Sequence, residues 1–344
     1  MAGAGMAGLV AAAEARSRGA DVLVVEKGDR PGGSMLLSSG VIWRHRDFER
    51  FRAECPDGDE ALQRTLFERL DEDLDWLEAQ GAPVTERETG NPLTVGRRLD
   101  PRGIVEALAG EVRLSEPLNE LPDAPVVLAT GGFAADRALV AEHITPHAAD
   151  LFLRASPWST GDGLRLGLGA GAQLSAGMDE FYGRNMPFPP ARVAESDFVA
   201  LAQLYARHAT VTNARGERFE TATWSEIDVV QWTARQPEAR AFYRVEAAAM
   251  GERVRERTVA EMVAAAERAG APVKREEGAA TVEVVAGITT TIGGLRIDAR
   301  GQAAPGVYAA GADAGGIAAG GYASGLAAAL VFGRLAARAA LEDA

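Results

Sequence analysis

The segment GAGMAGLVAAAEARSRGADVLVVEKG, residues 3–28, decides the fold of this chain. It contains a glycine-rich turn, an Ala-rich stretch that ends at Gly19, and the apolar run VLVVE that ends at Glu26. Glycine commonly follows the last residue of a helix, and a continuous β-branched run is typical of a parallel strand buried on both faces. The segment therefore predicts a turn, a helix and a strand in the order of a dinucleotide-binding unit.

The turn matches the pattern GxGxxG with Gly3, Gly5 and Gly8. In this pattern glycine permits the tight turn, lets the backbone approach a pyrophosphate, and lets the helix pack closely on the sheet. The N–H groups at the start of the helix, around Met6 and Ala7, would then bind the phosphates. Ala/Gly-rich helices also match the pattern by chance, so on its own it leaves an ordinary helix start open.

The acid at the end of the strand strengthens the prediction of a nucleotide site. Glu26 lies near the offset of about 20 residues at which a carboxylate accepts hydrogen bonds from ribose hydroxyls. An acid there favours an unphosphorylated ribose, as in FAD or NAD, over NADP. The following segment, Lys27 to Ser34, contains a second glycine turn with Gly32 and Gly33, whose backbone amides would suit a longer cofactor. An ordinary surface loop is the alternative for this second turn.

Composition and charge limit the classes of partner. The chain has 344 residues, of which 47% are hydrophobic and 25% charged, and its formal net charge of −13 argues against nucleic acids and anionic membrane surfaces. One cysteine, Cys55, cannot form an internal disulfide, which fits a reducing cytoplasm. We find no metal-ligand spacing and no apolar run of membrane-spanning length. The predicted partner is a small-molecule substrate, with the electron donor or acceptor and the oligomeric state left open.

At larger scale the sequence resembles a known family. The relevant stretches follow one another in the family's order: residues 3–40, then ATGGF (129–133), STGDG (159–163), NARGERF (213–219), TIGGLRID (291–298), GVYAAGADAGG (306–316) and SGLAAALVFGR (324–334). Together they resemble the FAD-dependent flavoproteins of fumarate reductase and succinate dehydrogenase, a family that includes 3-ketosteroid dehydrogenases and tricarballylate dehydrogenase-like enzymes. The resemblance spans nearly the whole chain and is specific for FAD, but much less so for a substrate.

The sequence after Met178 contains more aromatic residues, prolines and charges. This change and the resemblance together imply an α/β fold with two domains. Residues 1–165 and 286–344 would form a Rossmann-like FAD-binding domain, and residues 166–285 an inserted α+β cap that carries the substrate site. Because the chain begins at the glycine turn, the first strand of the Rossmann-like sheet is predicted to be missing.

The resemblance also implies cofactor-binding positions along the chain. Gly3, Gly5 and Gly8 would contact the pyrophosphate, and Glu26 the adenosine ribose. The further positions run from the pyrophosphate and adenosine half to the ribityl chain and the flavin ring: Gly33, Ser34, Ser39, Gly40, Ala129, Thr130, Gly131, Asp162, Gly311, Asp313, Ser324, Gly325 and Leu326. N–H groups at the start of the last helix could stabilise negative charge on reduced flavin.

In such enzymes a hydride passes between flavin N5 and a substrate carbon, while a side chain handles a proton on the neighbouring carbon. This chain departs from the fumarate reductases, because Met250 stands near the position of their proton-donating arginine. The segment GGYASG, residues 320–325, also lacks the arginine that grips a dicarboxylate. These differences argue against fumarate as the substrate. No histidine stands where covalently flavinylated relatives carry one, which predicts noncovalent FAD.

Three side chains are the predicted candidates for proton transfer or carbonyl binding: Tyr322, Tyr182 and His208. Tyr322 is the first choice because its glycine neighbours and the adjacent flavin motif would expose its ring to the pocket. Tyr205 and Tyr243 are further candidates, and each of the five has a purely structural alternative. The sequence predicts an oxidoreductase acting on a CH–CH bond of a small organic acid or ketone. A 3-ketosteroid dehydrogenase-like enzyme and a noncatalytic flavin-binding protein are the alternatives.

Overall fold

The computed structural model describes residues 1–221 and 226–344. These residues form two compact units. The first unit contains residues 1–136, 155–181 and 290–344, and the second contains residues 137–154 and 182–289. Each unit is therefore assembled from segments that are separated in sequence.

The helices and strands are numbered in chain order over the described residues. The helices are α1 (Met6–Ser17), α2 (Phe48–Glu54), α3 (Glu60–Ala79), α4 (Pro101–Leu108), α5 (Arg137–His143), α6 (Asp162–Gly169), α7 (Glu226–Ala234), α8 (Val259–Arg268) and α9 (Gly325–Glu342). The strands are β1 (Val25–Glu26), β2 (Val41–His45), β3 (Val84–Glu86), β4 (Thr94–Leu99), β5 (Arg113–Leu114), β6 (Val126–Leu128), β7 (Phe152–Leu153), β8 (Phe181–Pro187), β9 (Thr210–Thr212), β10 (Arg240–Glu246), β11 (Arg253–Val254), β12 (Arg257–Thr258), β13 (Val273–Glu276), β14 (Ala279–Thr291), β15 (Gln302–Ala304) and β16 (Val307–Ala309).

The central sheet of the first unit is built around the first residues of the chain. β1 pairs in parallel with β5, and β6 pairs in parallel with β16, which is antiparallel to β15. Ala2 connects the two halves, because it makes parallel bridges to both Val25 and Leu128. Its N–H donates to the Val127 carbonyl at 2.9 Å, and the Gly3 N–H donates to the Val25 carbonyl at 2.8 Å. The C-terminal ends of β1 and β6 therefore meet beside the glycine turn.

Two elements show how the sequence sets local structure in the first unit. Helix α3 is amphipathic, and it buries Leu62, Leu66, Leu70, Leu74 and Leu77, which recur at helical spacing. The Asp59 side chain caps it by accepting hydrogen bonds from the N–H groups of Ala61 and Leu62. The run VLVVE forms a shorter ladder than expected, since only Val25 and Glu26 pair with β5, itself two residues long.

Helices α1 and α9 pack directly against each other in the first unit. A Cβ at Gly333 of α9 would lie 2.8 Å from the Ala7 carbonyl oxygen of α1, so only glycine fits this contact. A separate antiparallel sheet of the same unit has the order β2–β4–β3. The first unit therefore combines a largely parallel sheet with helices, which is the mixed α/β fold expected from the sequence.

The second unit is built on a larger antiparallel sheet. β10 lies between β9 and β14, and β14 also pairs with β13, β7 and β8. Helices α7 and α8 belong to this unit, and α8 begins with a capping box in which Thr258 and Glu261 bond each other's backbone N–H groups.

Within residues 1–221 and 226–344, no helix has both the length and the hydrophobicity needed to cross a bilayer. The same residues contain no group of three or more His, Cys, Asp or Glu side chains arranged to hold a metal ion.

Candidate cofactor site

The three glycines of the first turn meet different surroundings. Gly3 has a φ of +99°, and a Cβ there would overlap the Ala129 carbonyl of the neighbouring strand end. A Cβ at Gly8 would overlap the Gly3 carbonyl, so both positions need glycine for packing. A Cβ at Gly5 would meet no atom within 4 Å. Gly5 precedes α1, whose first turn, beginning at Met6 and Ala7, has no side-chain cap and no acidic residue. This leaves an open helix N-terminus, which is suited to an anion.

The second glycine turn lies against the first. The Gly32 N–H donates to the Ala4 carbonyl at 2.7 Å, and a Cβ at Gly33 would lie 3.4 Å from the Cα of Gly5. The structure therefore brings together the two turns that the sequence predicts for the pyrophosphate.

The positions after the second turn have structural partners of their own. The Ser34 hydroxyl accepts a hydrogen bond from the Ser156 N–H at 2.9 Å. Ser39 is exposed, and Gly40, with a φ of +68°, lets its backbone pass close to the Leu99 carbonyl. For Gly40 the packing role is visible, and its contact with a cofactor stays a prediction.

Glu26 is buried at the end of β1, and both of its carboxylate oxygens are engaged. Oε2 accepts from the Ala4 N–H at 2.7 Å, and Oε1 accepts from the Gly28 N–H at 2.7 Å. The neighbouring Lys27 donates from Nζ to Thr160 Oγ1 at 2.6 Å and to Asp162 Oδ2 at 2.8 Å. The predicted ribose-binding acid thus lies beside the predicted pyrophosphate turn, and Lys27 links it to Asp162 at the start of α6.

Asp313 joins three further predicted positions. Its carboxylate accepts hydrogen bonds from the Thr130 N–H, from Thr130 Oγ1 at 3.1 Å and from the Gly132 N–H at 3.0 Å. Burial raises the pKa of Asp313, although the hydrogen bonds from Thr130 and Gly132 act in the opposite direction. Thr130 Oγ1 also accepts from the Gly163 N–H at 2.9 Å, so one cluster connects the end of β6, the start of α6 and the turn at Gly311.

A cleft opens between these groups in the first unit. It is lined by Ala2, Gly3, Val25, Glu26, Lys27, Pro117, Leu118, Thr130, Trp158 and Asp162. The predicted Ala129 and Gly131 flank Thr130 in the chain, and a Cβ at Gly131 would lie 2.8 Å from Ser159 Oγ. Sequence reasoning missed Trp158, although a large aromatic residue directly before the STGDG turn was a usable signal.

The start of α9 carries the last predicted cofactor group. Ser324 is the N-cap, and its hydroxyl accepts from the Ala327 N–H at 3.3 Å. The first N–H groups of the helix, from Gly325 and Leu326, have no acceptor within the helix. A Cβ at Gly325 would meet no atom within 4 Å, and Gly311 approaches α1 so closely that its Cβ would lie 3.0 Å from the Ala7 Cβ.

Tyr322 lies two residues before α9 and is half-buried. Its ring contacts Trp43 edge-to-face, with ring centroids 5.8 Å apart. The buried His45 ring also contacts Trp43, with ring centroids 5.2 Å apart. Tyr322 is therefore supported by the aromatic residues of β2.

The other predicted catalytic residues belong to the second unit. Tyr182 is half-buried, with the Arg184 guanidinium 4.8 Å from its ring centroid, and His208 ends a short turn with a buried Nε2 that has no hydrogen-bond partner. Tyr205 and Tyr243 are fully buried, which raises the pKa of both hydroxyls. Their complete burial identifies these two tyrosines as core residues.

The open glycine turn, the adjoining acid and the uncapped helix define a nucleotide-cofactor-binding α/β protein. Their chemistry fits a dinucleotide, since Gly5 has open space beside the helix start and the Glu26 carboxylate accepts a hydrogen bond from the Ala4 N–H of the same turn. The model of the family "FAD binding domain" matches residues 1–108 and 120–326. The chain belongs to this family, and the prediction that its cofactor is FAD is confirmed.

Comparison with solved structures agrees with the family resemblance stated from the motifs. The open conformation of a flavocytochrome c3 fumarate reductase is 21% identical and superposes with a TM-score of 0.72, covering 99% of this chain and 77% of that chain. The 3-ketosteroid-Δ4-(5α)-dehydrogenase from Rhodococcus jostii is also 21% identical, with a TM-score of 0.70 over 98% of this chain and 95% of that chain. The 3-ketosteroid Δ1-dehydrogenase from Sterolibacterium denitrificans is 15% identical, with a TM-score of 0.71 over 99% and 98%. No curated protein matches the sequence.

Proposed function

We propose that this chain is an FAD-dependent oxidoreductase that transfers a hydride between flavin N5 and a CH–CH or C=C bond of a small organic acid or ketone. The observation that carries this proposal is the open glycine turn at Gly5 beside the buried carboxylate of Glu26. The fold likeness to a fumarate reductase and to 3-ketosteroid dehydrogenases supports the reaction class. In this proposal the first unit is a Rossmann-like FAD-binding domain whose first strand is missing except for the isolated bridges of Ala2, and the second unit is the cap.

The first unit would hold the cofactor along its whole length. Gly3, Gly5, Gly8 and the N–H groups of Met6 and Ala7 would bind the pyrophosphate, together with the turn from Gly32 to Ser34. Glu26 can accept hydrogen bonds from the adenosine ribose, although each oxygen also accepts one from the backbone. We propose that the remaining predicted positions, including Asp162, Asp313 and Ser39, also contact the cofactor.

When bound, FAD supplies a hydride donor or acceptor at N5. The N–H groups at the start of α9, from Gly325 and Leu326, can stabilise negative charge that develops nearby. Ser324 fixes the direction of this helix start because it caps the first turn. The chain thus offers a preorganised electrostatic site next to Tyr322.

We propose that Tyr322 handles the substrate proton or donates a hydrogen bond to its carbonyl. A tyrosine hydroxyl can donate to a developing enolate, and the contact with Trp43 limits the motion of the Tyr322 ring. Tyr182 and His208 are the second choices. The absence of arginine from residues 320–325 argues against a dicarboxylate and in favour of a substrate with a single carbonyl or carboxyl group.

A 3-ketosteroid dehydrogenase-like activity is the second candidate, favoured by the superposition over 95% of the length of the Rhodococcus jostii enzyme. A noncatalytic flavin-binding protein is the third. Anaerobic reduction of the bound flavin with dithionite, followed by addition of enoates, unsaturated ketones or 3-ketosteroids, separates the three. Reoxidation by one substrate class identifies an enzyme of that class. The catalytic proposal is contradicted if no unsaturated compound reoxidises the reduced flavin and no saturated compound reduces the oxidised flavin.

A further inference from the structure

Trp158 presents a large aromatic ring to solvent at the cleft beside Glu26. Its exposed fraction is 41%, among the highest for a large hydrophobic residue in the described chain. A single exposed hydrophobic residue is common on protein surfaces and by itself needs no explanation. Trp158, however, lines the same cleft as Gly3, Glu26 and Asp162. The ring therefore stands where part of the cofactor is expected.

The ring is packed tightly on the backbone that follows the acid. A Cβ at Gly28 would lie 2.6 Å from Trp158 Cδ1 and 2.7 Å from Trp158 Nε1. Glycine at this position thus allows the indole to lie directly against the chain. The same Gly28 donates its N–H to Glu26 Oε1 at 2.7 Å, so the indole and the ribose-binding carboxylate share one neighbour.

The turn that carries Trp158 is held in place from several sides. The Trp158 carbonyl accepts from the Thr160 N–H at 2.9 Å, and the Ser159 N–H donates to the Ser156 carbonyl at 3.2 Å. Thr160 and Asp162 in turn bind the Lys27 ammonium. An aromatic ring on such a fixed turn loses little conformational entropy when a planar ligand stacks on it.

We propose that Trp158 stacks on the adenine base of FAD and determines the affinity for the adenosine half of the cofactor. This inference rests on the proposed position of the adenosine ribose at Glu26. A ribose bound at Glu26 would bring its base toward the lining of this cleft, whose apolar residues include Trp158, Pro117 and Leu118. A base can stack on an aromatic side chain without forming specific hydrogen bonds. Substitution of such a side chain by alanine weakens binding by roughly 5- to 150-fold.

The test uses the full chain, prepared with FAD and after cofactor removal, and the variants Trp158→Phe and Trp158→Ala. ADP is the probe for the adenosine half, and FMN is the probe for the flavin half. We expect the Kd of ADP and of FAD to rise roughly tenfold in Trp158→Ala and by less in Trp158→Phe, with the Kd of FMN unchanged. ADP should also quench tryptophan emission in the wild type but not in Trp158→Phe.

Trp232→Phe is the matched control, since it removes a tryptophan of the second unit that packs on Phe219. This variant should keep both the quenching and the ADP affinity of the wild type. Equal ADP affinity in Trp158→Ala and wild type would overturn the inference, as would a parallel loss of FMN affinity, which would indicate a structural effect. Failure of the wild type to bind FAD at all would instead contradict the cofactor site itself.

Discussion

The Nε of Arg334 on α9 donates to the carboxylate of Glu14 on α1 at 2.8 Å, and both side chains are buried. Arg334 also donates from Nη1 to Asp73 of α3, which has no exposed surface. Arg338 and Arg18 complete the set of cations around Glu14. This cluster joins the helix that follows the glycine turn to the helix whose first residues are proposed to face the flavin.

Replacement of Glu14 by glutamine should destabilise the protein. Burial would raise the pKa of Glu14, but the hydrogen bonds from Arg338, Arg334 and Arg18 outweigh it and hold that pKa at about 2. Removing one partner of a buried pair leaves uncompensated charge, so we expect the free energy of unfolding to fall by roughly 3 kcal/mol in urea titrations at pH 7. The control is Glu60→Gln, which removes an exposed pair with Arg64 and should cost under about 1 kcal/mol. Equal effects of the two substitutions would contradict the assigned role of the cluster.

His45 should make the stability of the protein fall at mildly acidic pH. Burial is the largest effect and lowers the pKa of His45, and the charge of Arg50 lowers it further. The carboxylates of Glu54 and Asp47 and the backbone of Tyr322 raise that pKa, but by less. Below the unfolded pKa of about 6.5 the unfolded chain binds a proton that folded His45 does not, so stability decreases as the pH falls. His45→Gln should flatten the dependence of the unfolding free energy between pH 7.5 and 5.5. The control is His147→Gln, because His147 is half-exposed, and this variant should keep the wild-type dependence of the unfolding free energy on pH. An unchanged pH dependence in His45→Gln would show that another group causes it.

Gly5 and Gly8 should separate cofactor binding from folding. Gly5 has an ordinary φ of −74° and open space at its Cβ, so Gly5→Ala should fold normally but bind FAD at least about tenfold more weakly. Gly8→Ala forces a Cβ onto the Gly3 carbonyl and should lower the stability of the cofactor-free protein by roughly 1–3 kcal/mol. Gly251→Ala, at an open position of the second unit, is the control for both effects. Wild-type FAD affinity in Gly5→Ala would argue against a pyrophosphate at this turn.

Tyr322→Phe should lower turnover without loss of FAD. The variant keeps the ring that contacts Trp43 and removes only the hydroxyl, so we expect kcat to fall by about 10²-fold or more with an unchanged flavin spectrum. Steady-state kinetics on the substrate class found by flavin reoxidation measures this effect. Tyr182→Phe and His208→Gln serve as comparisons, and a larger loss of kcat in either one would move the proton-transfer role away from Tyr322.

Much of the backbone geometry of the candidate cofactor site was predictable, because short motifs specify local conformation. Gly3, Gly8 and Glu26 meet the neighbours that their roles in a turn and at a strand end require. The surroundings of Trp158 and the partners of Asp313 depend on contacts between segments far apart in sequence, which no local pattern encodes. The burial of Tyr205 and Tyr243 in the second unit also depends on such contacts, so the sequence alone could not show whether these tyrosines are buried or line a cleft.

The shortening of the VLVVE strand has a similar cause. A β-branched run predicts extended backbone, but the length of a ladder is set by its partners, and β5 offers only two residues. The central position of Ala2 also depends on the approach of β1 and β6, which lie about 25 and 125 residues further along the chain.

The most direct test of the account is the identity and stoichiometry of the cofactor released from the purified full chain. We predict one FAD per chain, with a flavin absorption spectrum in the native protein and complete release on denaturation, as expected for noncovalent binding. FAD content should fall in Glu26→Ala, which removes the proposed ribose acceptor. A purified, folded chain that contains no flavin and does not take up added FAD would contradict the central claim.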